Sequence, residues 1–139
     1  INARLEKAFQ KLQERLETQQ GNIDKARSGA DKAQSLIDEL KAKGKDTSAL
    51  EAALATFNAQ IDEAQAKHDE AQGIVDAHAG FDANGKVTDA DQAQATLESA
   101  GGAMREAQQN LRDATKALRQ AVRDFRKANR PDKPATQQP

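Results

Sequence analysis

Apolar residues recur along the first forty positions at alternating intervals of four and three. Leu5, Phe9, Leu12, Leu16, Gln19, Ile23, Ala26, Ala30, Ala33, Ile37 and Leu40 form one unbroken series. This spacing keeps every member on one stripe of a helix, the seam of a coiled-coil-like packing. The phase runs through Gly21 and Gly29, although each glycine costs about 1 kcal/mol against alanine. One helix over 2–43 is therefore expected, with a break at Gly21-Asn22 as the alternative.

Gly44 follows Lys41 and Lys43, a helix stop preceded by cations that suit the C-terminal dipole. Asp46-Thr47-Ser48 offers capping side chains, and Ser48 with Glu51 reads as a capping box. The same alternation then resumes at Leu50, Leu54, Phe57, Ile61, Ala64, His68, Ala71, Val75 and His78, predicting a second helix over 48–79. A loop centred on Asn84-Gly85 follows. Thr88 can cap a third helix over 88–129, with Asp89 and Asp91 in its first turn. That helix carries Leu97, Ala100, Met104, Ala107, Leu111, Ala114, Leu118, Ala121, Phe125 and Ala128. One seam line is always large and the other always alanine, so helix backbones can approach closely. Seams of this kind are expected to leave no obvious cavity.

Short turns make neighbouring helices antiparallel. The fold expected is all-α: an up-down-up antiparallel three-helix bundle of long, heptad-patterned helices, forming one domain over 1–129. Residues 130–139 are rich in proline and glutamine and are expected to be a disordered tail.

Composition sharpens this picture. Leu, Ile, Val, Phe and Met total 23 of 139 residues, a fraction low enough to suggest disorder. The strict register and a net charge of -1 argue against that reading. The near balance also disfavours a dedicated nucleic-acid binder. There is no cysteine, which excludes disulfides and thiolate chemistry. No apolar run approaches the ~18 residues that span a bilayer, so membrane insertion is not expected. Residues 1–44 carry a net +2, residues 45–80 a net -5 and residues 81–139 a net +2. An acidic middle helix thus lies between two basic ones. The chain begins at Ile1 rather than Met, so either a processed mature form or an excised fragment is expected, the first going with a secreted or envelope location.

Catalytic motifs are missing: no phosphate-binding glycine loop, no H-E-x-x-H and no G-x-S-x-G. An enzyme is not expected, nor is a cofactor. His68 and His78 lie ten residues apart, about 15 Å along a helix, too far to share a metal. They read as polar seam positions near the wetter end of the bundle. Asp82, Asn84 and Asp91 form a degraded calcium-loop pattern with two carboxylates, weak candidates for a metal site. Arg112, Lys116, Arg119, Arg123 and Arg126 form a basic stripe suited to an anionic polymer or lipid headgroups, although no Trp or Tyr accompanies it.

Gly44-Lys45-Asp46-Thr47-Ser48-Ala49-Leu50-Glu51 and the run from His78 to Asp89 resemble a type of exported bacterial protein made of long antiparallel helices. The resemblance implies a fold and supplies no functional residues. The L-T-x-x-Q motif of periplasmic helical chaperones is missing.

The expected helix lengths, roughly 63, 48 and 60 Å, leave the middle helix too short to cover its neighbours. Leu5 and Phe9 are expected to be uncovered at one end, and Leu118 and Phe125 at the other. Opposite overhangs favour head-to-tail self-association, so the chain is expected to be a structural protein of the cell envelope or exterior, a filament subunit whose partner is itself. A monomeric or dimeric adaptor using the basic stripe is the alternative.

Overall fold

The computed structural model describes residues 1–129. It is a three-helix all-α bundle: α1 spans Asn2–Ala42, α2 Ser48–Ala77 and α3 Ala90–Ala128. α1 is continuous through Gly21 and Gly29, as its unbroken phase predicts. The seam prediction also holds, since Leu5, Phe9, Leu12, Leu16, Gln19, Ile23, Ala30 and Ile37 are the buried residues of α1. The expected tail over 130–139 lies outside the described residues. Among those described, no helix is long and apolar enough to cross a membrane.

The helix ends differ from expectation in detail. α2 has Thr47 as its N-cap, and the capping box between Ser48 and Glu51 does not form. Asp46 instead accepts from the Ser48 backbone N–H at 3.0 Å and from its hydroxyl at 2.7 Å. Thr47 donates to Glu51 at 3.0 Å. α2 ends two residues early, where His78 turns left-handed and donates from Nδ1 to the Phe81 carbonyl at 2.8 Å. α3 is capped by Asp89, which accepts from Gln92 N at 3.1 Å, and not by Thr88. Thr88 N instead donates to the Gly80 carbonyl at 2.8 Å. Its backbone is thus committed to the loop, and helical geometry starts two residues later.

The loop between α2 and α3 is a small structured element. Phe81 and Val87 form an antiparallel bridge around the Asn84-Gly85 turn. Phe81 stacks on Phe9 with ring centroids 4.1 Å apart. Glu6 accepts from Val87 N at 2.8 Å and faces Lys86 Nζ at 3.6 Å. The loop therefore closes over the start of α1. Leu5 and Phe9, expected to be uncovered, are only 8% and 3% exposed. The twelve connecting residues supply the cover over the start of α1 that the length of α2 alone does not.

Two apolar clusters fill the bundle. One joins Leu5, Phe9, Leu12 and Leu16 to Ala71, Val75 and Phe81. The other joins Ile23, Ile37, Leu50, Leu54, Phe57 and Ile61 to Ala107, Leu111 and Ala114. A polar layer lies between them. His68 of α2 donates from Nδ1 to Gln19 Oε1 of α1 at 2.8 Å, and Gln19 Nε2 donates to the Met104 carbonyl of α3 at 3.0 Å. An amide oxygen can only accept, so His68 carries its proton on Nδ1. His68 is 4% exposed and lies mid-bundle, not at a wetter end. Burial holds its pKa below the ordinary value, and Asp69 and Asp24 partly oppose that shift.

Candidate functional site: a basic-rimmed groove between α1 and α3

The two seam lines of α3 meet different fates. Ala100, Ala107 and Ala114, with Ala93 one period earlier, are wholly buried at 0% exposure, whereas Ala121 is half-buried and Ala128 exposed, and α2 and α3 are the most intimately packed pair. Methyl-sized side chains permit that approach. The large line is Leu97, Met104, Leu111, Leu118 and Phe125, and from Met104 onward it borders clefts shared with α1. Of these only Leu111 is buried, and the other four remain half-buried. α1 and α3 make the loosest helix pair.

Along this seam the bundle leaves open surface clefts rather than an enclosed cavity. Four clefts run along it and share their lining residues. The first lies between Arg15, Gln19 and Asn22 of α1 and Met104, Arg105 and Arg112 of α3. Asn22, Gln108 and Arg112 continue into the next, which reaches Ala26, Lys116 and Arg119. Ala26, Arg119 and Arg123 continue into a third, walled by Leu36, Leu118 and Val122. The last section, about 210 Å³, is lined by Leu40, Leu50, Leu54 and Phe125. The result is one groove with a polar start and an apolar finish. Leu36 is its clearest marker: apart from Ile1, it is the sole exposed large apolar side chain among the described residues, at 44%.

Leu118 and Phe125, expected to be uncovered, are half-buried against the apolar cluster and line this groove. Arg112, Lys116, Arg119, Arg123 and Arg126 also belong to it, as rim residues over its length. The sequence stripe is thus the polar edge of an apolar channel. Among the described residues none of these five cations forms an ion pair. The pairs that do form are Arg27–Asp62, Lys41–Glu51, Lys67–Glu70, Lys67–Glu106 and Lys86–Glu6. Three of these join α2 to a neighbouring helix: it supplies the carboxylate to Arg27 and Lys41, as its acidic charge predicts, and the cation to Glu106. Lys41 and Thr47 hold the Glu51 carboxyl below its ordinary range, and Glu106 raises the Lys67 ammonium. All these partners are substantially exposed, save Glu6, so solvent screens the pairs and they add little to stability.

The weak metal candidates are used otherwise. Asp82 Oδ1 accepts from Lys86 N at 2.9 Å and from Asn84 N at 2.8 Å, and these bonds lower its pKa. Its carboxylate closes the turn around Asn84. Asp91 lies in the first turn of α3. Among the described residues no group of three His, Cys, Asp or Glu side chains could hold a metal ion.

Sequence reasoning found the rim and missed the channel. Leu36 was the available signal: it is a large apolar residue one position off the seam, between Ala33 and Ile37. Such a residue widens the apolar face of α1 beyond what two partners in a close bundle need.

The fold and the groove together define a class: a three-helix bundle with one seam left open, apolar within and cationic along the edge. No family model, curated protein or solved structure matches the chain.

Proposed function

We propose that this is a non-enzymatic interaction protein whose α1–α3 groove receives an acidic, amphipathic helix. One observation carries the reading: Leu36, Leu118 and Val122 face an open channel whose edge holds Arg119, Arg123 and Arg126. A helix laid there would bury its apolar stripe on those side chains and set its carboxylates against the arginines. This is helix-in-groove recognition, with hydrophobic contact giving affinity and charge giving orientation. It would complete a fourth helix position against α1 and α3. Self-association through bare helix ends is less well supported, because the Phe81 loop covers Leu5 and Phe9.

The test is a titration of the full chain into a labelled ~20-residue peptide with leucines at heptad spacing and glutamates beside them. Binding near ~10 μM that weakens with salt is expected, and it should be lost in Arg119→Gln/Arg123→Gln and in Leu118→Ser/Val122→Ser. No binding by the unaltered protein ends this reading. An anionic polymer or a headgroup surface is the second reading, favoured by the exposure of Lys116, Arg119 and Arg123. It requires the arginines alone, so polyanion binding would survive the serine substitutions.

A further inference from the structure

The outward face of α2 has a periodicity that its own bundle does not use. Its inner positions, from Leu50 to Val75, are committed to α1 and α3. On the exposed side Ala52, Ala59, Ala66 and Gly73 recur every seven residues. Beside them Asp62, Asp69 and Asp76 recur every seven, as do Glu63 and Glu70. A solvated face has no need of a heptad. A seven-residue period keeps a stripe on one side of a helix and is the mark of a helix with a further neighbour.

The groove has the same period. Arg105, Arg112, Arg119 and Arg126 stand seven apart along α3, and Lys116 and Arg123 do likewise. Seven residues rise about 10.5 Å in any α-helix, so the acidic row and the basic row have matching pitch. We propose that the helix received by the groove is α2 of a second copy of this chain. This rests on the groove reading above and names its occupant. The small line of the incoming α2 would let it descend between the walls, so that its alanine methyls meet Leu36, Leu118 and Val122. Its aspartates would face the arginine row. Asp69 and Asp76 are available for this, since among the described residues they accept only from Gln65 and Gln72. Asp62 would share its carboxylate with Arg27, from which it stands 3.1 Å away while 71% exposed.

Charge sets the mode of pairing. Two grooves laid face to face would bring arginines against arginines, which excludes groove-to-groove pairing, and the outward face of α2 lies across the bundle from the α1–α3 groove, so one pair of copies does not engage both surfaces at once. Groove and α2 are different surfaces, so each copy offers one of each. The contact is heterologous and propagates into a ring or an open polymer. A net charge of -1 adds little long-range repulsion between copies. Alanine contributes little area per residue, so the contact depends on its charges and weakens as salt rises.

The experiment is sedimentation velocity on the full chain across concentration, at low and high salt, with two variants. Asp62→Asn/Asp69→Asn/Asp76→Asn keeps the groove and neutralises α2. Arg112→Gln/Arg119→Gln/Arg123→Gln keeps α2 and neutralises the groove. All six positions are exposed, and circular dichroism checks that each variant folds. The unaltered chain should assemble at low salt. Each variant alone should need at least about tenfold more protein to do so. Mixed together they should form a two-chain species and nothing larger, since only one intact surface pair remains. An unaltered chain that stays monomeric at low salt overturns the proposal, as does a variant that assembles normally or a mixture that does not pair. The acidic peptide separates the two failures. If it still binds a monomeric chain, the groove stands and only the second copy falls; if it does not, both fall.

Discussion

The two sides of α3 are written in the same code and do different work. Toward α2 it presents Ala93, Ala100, Ala107 and Ala114, sealed at 0% exposure, before the same line opens at Ala121 and Ala128. The other line is Leu97, Met104, Leu111, Leu118 and Phe125 at the same period, bordering clefts shared with α1 from Met104 onward, and most of that line is half-open. The smaller side chains make the tighter joint. Small residues bring backbones together and exclude water completely. Large residues hold helices apart, and three helices alone do not close the resulting seam along its whole length. A bundle can therefore be rigid on one side and receptive on the other without any break in its heptads.

Adding the same volume to both sides should separate them most sharply. Ala107→Leu inserts three carbons where α2 and α3 already touch, with no exposed surface to expand into. It should destabilise the fold by about 3 kcal/mol, read from the denaturant midpoint. Ala33→Leu places the same carbons at a half-buried position on the groove wall. It should leave stability within about 0.5 kcal/mol. It should also weaken binding of the acidic peptide by filling the channel. Equal costs at the two positions would mean that the groove is as tightly closed as the α2 seam.

Two glycines, one in the α2–α3 loop and one within α1, offer a second contrast, in backbone. Gly80 has φ +90°, and a Cβ there would run into the backbone of Gln92 and Ala93 at the start of α3. Its carbonyl also accepts from Thr88 N at 2.8 Å and Asp89 N at 3.3 Å. Gly80→Ala should cost about 2 kcal/mol and loosen the loop that covers Phe9, raising hydrogen exchange at Val87. Gly21 is the control: a Cβ there meets nothing within 4 Å, so Gly21→Ala should stabilise by about 1 kcal/mol. Retention of full stability in Gly80→Ala would show that the loop can rebuild itself around a side chain.

The three helices were legible because seam period and helix length are local properties. Which neighbour each seam line faces was not, since the alanine and leucine lines of α3 have the same period. Phe81 was invisible as a core residue because it stands in a loop, outside any helical phase, and pairs with Phe9 from far along the chain. That one contact reverses the fate of Leu5 and Phe9. At the start of α3, Thr88 and Asp89 are both competent caps, and the choice depends on where Gly80 accepts its hydrogen bonds. The arginine rim was legible as charge. Its role as the edge of a channel needed the position of Leu36, which lies across on α1.

The smallest expected effect concerns the polar layer between the two clusters. Burial disfavours the protonated form of His68 in the folded state, while an unfolded chain protonates near the ordinary value of 6.5. Below that value the unfolded state binds a proton that the folded state resists. Stability should therefore be full above it and fall as pH drops through the folded pKa. The loss begins above the range of Asp46, Glu51 and Asp82, whose carboxyls are held below their usual values. Thermal melts from about pH 7 to about pH 5 should show it, and His68→Gln should abolish most of it. At neutral pH that substitution should cost no more than about 1 kcal/mol, because glutamine can still donate to Gln19 Oε1. The effect should be equal for melts read in either half of the bundle, since Gln19, His68 and Met104 join all three helices. A slope unchanged by His68→Gln would place the acid sensitivity elsewhere and leave this layer as a device of register alone.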